Sequence, residues 1–254
     1  IGWSRIPINI ERACLILINK DAYHNNASFN SAIRIAKLAK WANCEVYFIS
    51  DPSVPEFIDS LRHFSTQTLN FLLIYYAGNP ISQDTMDDPS VLKVFEGTVG
   101  PDLFYSTVNE KKPDLRIAIV MDGINNPVSW DPADQELDEP GVLFLAPYPD
   151  PNQAHLQQND LKNQNLFVQE FYSNLKAKPT LTGQEIKTNI EKEIVEFGQK
   201  VFCGSYPLEY KTDIALIIWF KSNKYLFFYH LQQITKKNYF NFVFVFCFKM
   251  FYKY

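Results

Sequence analysis

Thiol and imidazole side chains are the groups of this sequence that could support nucleophilic catalysis. A thiolate attacks carbonyl carbon, and an imidazole transfers protons near neutral pH. The chain of 254 residues contains four cysteines and four histidines. They are Cys14, Cys44, Cys203, Cys247, His24, His63, His155 and His230. No two cysteines have CxxC spacing and no Cys/His cluster has the spacing of metal ligands, so the sequence predicts neither a metal site nor a bound cofactor.

Most of these side chains are explained by structure alone. Cys14 lies within one short apolar segment and Cys44 opens the next. Cysteine in such segments usually packs as a small hydrophobe. His24 lies in a polar loop after the first segment and has no obvious cysteine partner. Cys203 follows the last predicted helix and also lacks a base nearby in sequence, so we expect it to be a structural thiol.

Overall charge and hydropathy argue against two classes of partner. The net charge is −4, whereas binding to phosphates requires a basic face. No apolar stretch reaches the roughly 18 residues of a membrane span, and the chain does not open with a signal-peptide pattern. The scattered cysteines favour a reducing compartment. We therefore expect a cytoplasmic protein with no nucleic-acid or membrane partner.

Alternating strand and helix patterns must position the polar residues. Continuous apolar runs predict buried parallel strands at residues 13–18, 44–49 and 70–76. Between them, helical spacing predicts helices at 29–39 and 54–64. In the first helix, Phe29, Ala32, Ile33, Ala36 and Ala39 form the predicted apolar face, opposite Arg34, Lys37 and Lys40. Three strands separated by helices imply right-handed parallel crossovers.

The second half of the chain continues the α/β pattern. A small hairpin is predicted at residues 91–99 around Gly97, and strands at 116–121 and 142–145. Helices follow at 166–175 and 182–197, the second opening with Thr182 and Glu185 in capping-box spacing. Residues 214–220 could form a last strand. The fold class expected is therefore α/β, a three-layer α/β/α sandwich around a mostly parallel sheet of about six strands.

The segment 221–254 differs in composition from the rest of the chain. It has no glycine or proline and is crowded with Phe, Tyr, Lys and Asn. Translation of an AT-rich non-coding stretch would give this composition, and we favour that interpretation. A partner-binding or membrane-surface extension is the alternative, although no polar face separates from the apolar one. We therefore predict one domain over residues 1–212, with a possible final strand to 220, followed by a tail of doubtful structure.

Two segments at the ends of predicted strands resemble the active-site motifs of the caspase and metacaspase superfamily. The third strand ends in Tyr75, Tyr76, Ala77 and Gly78, and the fourth ends in Asp122. In that family the third strand ends in a Tyr-Ser-Gly-His-Gly-like motif, and the fourth in Asp-x-Cys-x-x-Gly. The order and spacing of further segments match from about residue 12 to residue 207. The resemblance implies a caspase-like fold.

The two catalytic residues of the family are replaced in this chain. Asn79 stands where the general-base histidine would be, and Ile124 stands where the nucleophilic cysteine would be. Ile124 has no nucleophilic atom, and an amide does not exchange protons as imidazole does. The resemblance therefore implies a catalytically inactive pseudopeptidase. A cysteine peptidase or other hydrolase with a displaced catalytic pair is the alternative, and a degenerating gene product without selected function is a weaker one.

The surviving cleft of such a protein is the expected binding surface. The residues expected to line it are Gly78, Asp122, Gly123, Asn125 and Tyr148. An acidic residue at the end of a strand can also simply bond loop amides, so two interpretations of Asp122 stay open. The expected ligand is a protein or peptide, with an active homologue or a second copy of the chain among the candidates. An edge strand of the sheet is a second possible surface for binding this ligand.

Overall fold

A six-stranded sheet forms the centre of the molecule. The computed structural model describes residues 8–19, 27–78, 91–122, 126–150, 166–213 and 215. The strands of the sheet are β1 (Ile10–Ile18), β2 (Glu45–Ser50), β3 (Thr68–Ala77), β6 (Arg116–Asp122), β7 (Val142–Pro149) and β8 (Gln199–Tyr206). Their order is β2-β1-β3-β6-β7-β8, and β8 alone runs antiparallel to its neighbour. A separate hairpin consists of β4 (Leu92–Val94) and β5 (Gly97–Val99), as predicted.

Helices cover both faces of the sheet. They are α1 (Ala27–Trp41), α2 (Val54–Gln67), α3 (Pro101–Val108), α4 (Leu166–Ala177), α5 (Gly183–Ile194) and the short α6 (Tyr210–Asp213). The α1, α4 and α5 helices pack on one face, in a core that contains Cys14, Leu73 and Val120. The α2 and α3 helices pack on the other face. The three-layer sandwich expected from the sequence is confirmed.

The sixth strand differs from the sequence prediction. It is formed by β8, which follows α5, and not by residues 214–220. Of that predicted segment only Ala215 is described, and it forms an isolated antiparallel bridge to Thr182. The strand was missed because β8 includes Gln199, Lys200 and Ser205 and lacks a continuous apolar run. An antiparallel edge strand with one covered face does not need such a run.

The face that α1 buries was predicted only in part. Ala32 and Ala39 are buried as expected. Ile33 is 38% exposed, whereas Ile35 and Leu38 are fully buried. Apolar residues occur all along this helix, so spacing alone does not decide which isoleucine faces the sheet.

Local signals set the helix ends. The predicted capping box at α5 is present: the Thr182 side chain accepts from the Glu185 amide, and the Glu185 carboxylate accepts from the Thr182 amide. A second capping box, between Ser53 and Glu56, begins α2. The α5 helix ends at Ile194, earlier than predicted. A 3₁₀ turn follows and stops at Gly198, whose φ of +69° favours glycine. In the described part of the chain, no helix is long and apolar enough to cross a membrane.

A buried lysine joins the segments that lead into β6 and β7. Lys111 is only 6% exposed. Its ammonium group donates to the carbonyl oxygens of Leu115 at 3.1 Å and Pro140 at 3.0 Å, with longer contacts to those of Lys112 and Pro113. Burial lowers its pKa, and nearby Glu139 opposes that shift. The lysine therefore fixes the start of both strands relative to each other.

Replacing this lysine should destabilise the fold. Lys111→Met keeps the apolar stem but removes the ammonium group that donates to the four carbonyls. We expect a loss of roughly 1.5–3 kcal/mol in the free energy of unfolding, the range for hydrogen bonds to a charged group. Urea denaturation followed by circular dichroism measures the change. The matched control is Lys112→Met, expected to change stability by less than about 0.5 kcal/mol. Equal effects of the two variants would contradict the role given to Lys111.

Candidate functional site

The carboxyl ends of β1, β3 and β6 meet at one edge of the sheet. Ala77 aligns with Asp122, and the Gly78 amide donates to the Asp122 carbonyl at 3.2 Å. On the other side of β3, the Asn19 amide donates to the Ala77 carbonyl at 2.9 Å. The neighbours of β1 are β2 and β3, so the direction of winding reverses beside β1. Open α/β sheets bind ligands at the carboxyl ends of strands near such a reversal.

The structure brings together two of the residues predicted for the cleft. Gly78 and Asp122 are joined by the hydrogen bond just described. Tyr148 is half-buried near the end of β7. Gly123, Asn125 and the two degenerate catalytic positions, Asn79 and Ile124, lie outside the described residues. The expectation that Asn79 and Ile124 are close together therefore stays a prediction, and the contact between Gly78 and Asp122 supports it.

Two hydrogen bonds to one carbonyl oxygen hold the β4–β5 hairpin beside the carboxyl ends of these strands. The Tyr76 hydroxyl donates to the Lys93 carbonyl at 2.6 Å, and the Asn19 side-chain amide donates to the same oxygen at 2.7 Å. Both donor side chains are buried. A Cβ at Gly78 would lie 2.6 Å from the Cζ of Tyr76, so any larger residue would displace this tyrosine. The glycine at the end of β3 thus has a packing reason that is independent of catalysis.

Asp122 carries a buried carboxyl group with an unusual pKa. The residue is partly exposed at the strand end, but its carboxyl group is enclosed and accepts a hydrogen bond from the Tyr75 hydroxyl at 3.3 Å. Burial raises the pKa of this carboxyl to about 7, and the hydrogen bond from Tyr75 only partly offsets the effect. Burial, and next the nearby Asp122 charge, raise the pKa of Tyr75. A carboxyl that changes charge near neutral pH can act as a proton donor or acceptor.

The β6 and β7 strands stop pairing before either strand ends. Their ladder runs from Ile117 opposite Val142 to Val120 opposite Leu145. Beyond it, β6 continues to Asp122 and β7 pairs with β8 alone. β7 contains Pro147 and Pro149 in this stretch, and proline has no amide hydrogen to donate to a neighbouring strand. The ladder between the two strands therefore ends before Tyr148 is reached.

The thiols of the described residues are core groups, as predicted. Burial raises the pKa of Cys14 and of Cys44, with Arg12 partly opposing the shift at Cys44. Burial likewise raises the pKa of Cys203 to about 12. All three side chains belong to the core under α1, α4 and α5. They are therefore protonated at neutral pH and are poor nucleophiles.

No described histidine is positioned to activate these thiols. His63, the histidine within the described ranges, lies on α2 and packs edge-on against Phe64 at 5.4 Å between ring centroids. The sheet separates α2 from the three cysteines. Within the same described ranges no group of three or more His, Cys, Asp or Glu side chains could hold a metal ion. Cys247, His24, His155 and His230 lie outside these ranges.

Sequence reasoning missed the polar residues that support this edge. Asn19, directly after β1, was a detectable signal, because a polar residue at the end of a buried parallel strand faces the ligand edge. Ser31 on α1, which hydrogen-bonds Tyr75, had no such signal. A surface depression lined by Lys178 and Glu185 lies elsewhere, at the start of α5. There Gly183 packs on Leu143, near the amino end of β7, so the depression is not part of the candidate site.

Comparison with known proteins identifies the architecture and nothing more specific. No family model matches the chain, and no curated protein matches it. Among solved structures, the chain is similar to protein GSU0716 from Geobacter sulfurreducens, with a TM-score of 0.56 and 14% sequence identity. The match covers 76% of this chain and 93% of that one. A likeness at this identity supports the three-layer α/β fold alone.

Replacing Asp122 should change how stability depends on pH. The pKa of this carboxyl is about 7 in the folded chain and about 4 when unfolded. Folding therefore favours the neutral form, and stability should fall as pH rises from about 4 to about 7, with a loss of up to about 4 kcal/mol. The Asp122→Asn variant should lack this loss and be more stable than the native chain at pH 8. Urea denaturation from pH 4 to 8 tests this, and parallel pH profiles would contradict it.

Proposed function

We propose that this chain is a caspase-like protein without peptidase activity that binds a protein or peptide partner at the carboxyl end of its sheet. The proposal rests on one observation, which is the contact between the ends of the two segments that resemble the family's motifs. Gly78 and Asp122, the last described residues of the two matching segments, are hydrogen-bonded neighbours. The positions that follow hold Asn79 and Ile124 instead of histidine and cysteine.

The chemistry of the remaining thiols also supports a non-catalytic protein. A cysteine peptidase needs a thiolate close to a base. The three described cysteines are buried, with pKa values raised by burial, and the sheet separates them from His63. The alternative of a displaced catalytic pair therefore finds no Cys/His pair within the described ranges. Asp122 provides a group that titrates near neutral pH, but one carboxyl cannot replace a nucleophile and a base together.

The arrangement of β6 and β7 favours an extended ligand. Beyond Leu145 the two strands are not paired with each other, so carbonyl oxygens there can accept hydrogen bonds from an added strand, whereas Pro147 and Pro149 have no amide to donate. Tyr148 and the adjacent prolines make this part of β7 stiff, which lowers the entropy cost of binding. A peptide lying here would also contact the Asp122 end of β6.

The purified chain should not cleave peptides with Asp, Arg or Lys before the scissile bond, at any pH or with added calcium. Without a nucleophile and a base, the residual rate is about 10³ to 10⁴ times the rate of uncatalysed hydrolysis in water. Peptide bonds hydrolyse so slowly that this residual rate would not be detected. Fluorogenic peptides that carry Asp, Arg or Lys before the scissile bond measure the cleavage rate. An active caspase-type enzyme serves as the positive control. Cleavage that co-purifies with the chain and is blocked by a thiol-directed reagent would refute the proposal, and Cys203→Ser would then identify the nucleophile.

A photoreactive residue at Tyr148 should capture bound peptide. Tyr148→p-benzoylphenylalanine is incubated with a biotinylated library of extended hexapeptides and irradiated. The matched control carries the same residue at Leu208, which is 55% exposed and follows the end of β8, at the amino end of β7. We expect crosslinking at position 148 well above that at 208. Equal labelling of the two positions would count against a binding site at the carboxyl end of the sheet.

A further inference from the structure

Every charged residue on the outer face of α1 is basic. The helix contains three cations and no acidic residue. Arg34, Lys37 and Lys40 recur at three-residue spacing on its solvent side, together with the 38%-exposed Ile33. No ion pair engages any of these three cations within the described residues. Uncompensated like charges on one helix are unfavourable by themselves.

The adjacent helix α4 extends this surface. Trp41 at the end of α1 contacts Tyr172 of α4, with 5.5 Å between ring centroids. The Lys176 ammonium group lies over both rings, at 5.9 and 6.0 Å from their centroids. Glu170, the acidic residue of α4, is near Glu193 of α5, away from the aromatic pair. The basic patch is defined here as Ile33, Arg34, Lys37, Lys40, Trp41, Tyr172 and Lys176.

An acidic segment occupies the opposite layer of the molecule. Residues 131–139 contain five acidic residues and no basic one. Asp134, Glu136 and Asp138 are exposed. The segment is anchored by Trp130 and Leu137, which are buried in the core under α2 and α3. The acidic ridge is defined here as Asp134, Glu136 and Asp138, and the central sheet separates it from the basic patch.

We propose that the basic patch of one molecule binds the acidic ridge of a second copy. The argument is charge complementarity between two described surfaces of the same chain. Because the surfaces lie on opposite layers, one molecule cannot join them internally. The contact is therefore head-to-tail and continues from copy to copy in a closed ring or an open row. Exposed ion pairs contribute about 0.2–1 kcal/mol each, so the association is weak, concentration-dependent and sensitive to salt.

The patch geometry favours a protein surface over a membrane. Trp41 and Tyr172 are half-buried, and Lys176 covers their rings. Side chains that enter a lipid interface instead present uncovered aromatic and apolar groups. The inference concerns surfaces away from the carboxyl end of the sheet, so it does not depend on the proposed peptide site.

A charge-swap experiment on the full chain tests the contact. Arg34→Glu/Lys37→Glu makes the patch acidic, and Asp134→Lys/Glu136→Lys makes the ridge basic. Sedimentation velocity at about 50 mM and about 500 mM NaCl separates screened from unscreened charge. The native chain should show a mass that rises with concentration at low salt and is monomeric at high salt. Each double variant alone should stay monomeric, and an equimolar mixture of the two should associate again.

Controls make every outcome decisive. Lys187→Glu/Lys192→Glu changes the net charge equally but lies on α5, so it should associate like the native chain. If charge reversal unfolds α1, Arg34→Gln/Lys37→Gln gives a smaller loss of association with the same readout. A native chain that is monomeric at low salt overturns the proposal, and so does a mixture that fails to recover association. Binding of the native chain to anionic vesicles, lost in Arg34→Glu/Lys37→Glu without any self-association, would assign the patch to lipid instead.

Discussion

Burial of a parallel sheet on both faces is the constraint on which the rest of this structure depends. The side chains of β1, β3 and β6 are almost completely enclosed between two helical layers. Their backbone polar groups are satisfied from strand to strand, and little else polar can be accommodated inside. Polar side chains are therefore confined to the strand ends. Asn19 and Asp122 lie at one end of the sheet for this reason, and Lys111 is held at the other end of β6.

The same burial removes cysteine reactivity. Cys14, Cys44 and Cys203 lie among apolar side chains, and enclosure in such surroundings disfavours the thiolate. At Asp122 enclosure acts on a carboxyl group and brings its pKa to about 7. One physical effect thus disfavours the thiolate form of the cysteines and brings the titration of a carboxyl close to neutral pH.

Because helices and loops cover both faces of the sheet, opposite charges can lie on opposite sides of the molecule without being buried in the core. The α1 and α4 helices present cations, and the segment that follows β6 presents carboxylates on the opposite side. Each surface is attached to its own side of the sheet through apolar contacts, so the sign of its charge is free to vary. The net charge of −4 is therefore compatible with two surface patches of opposite charge.

The sequence by itself determined the elements that depend on interactions between residues close together in the chain. Continuous apolar runs identified β1, β3 and β6, and Thr182 with Glu185 identified the start of α5, because burial on two faces and helix capping act within a few residues. The order of these elements also placed Gly78 beside Asp122. Only the tertiary structure decided that β8 is the sixth strand and that Ile35, not Ile33, faces the sheet. It also decided the environment of single groups, since Tyr75 and Asp122 are 47 positions apart and Lys111 and Pro140 are 29 apart. Such contacts form when distant segments pack, and no local pattern records which partners they bring together.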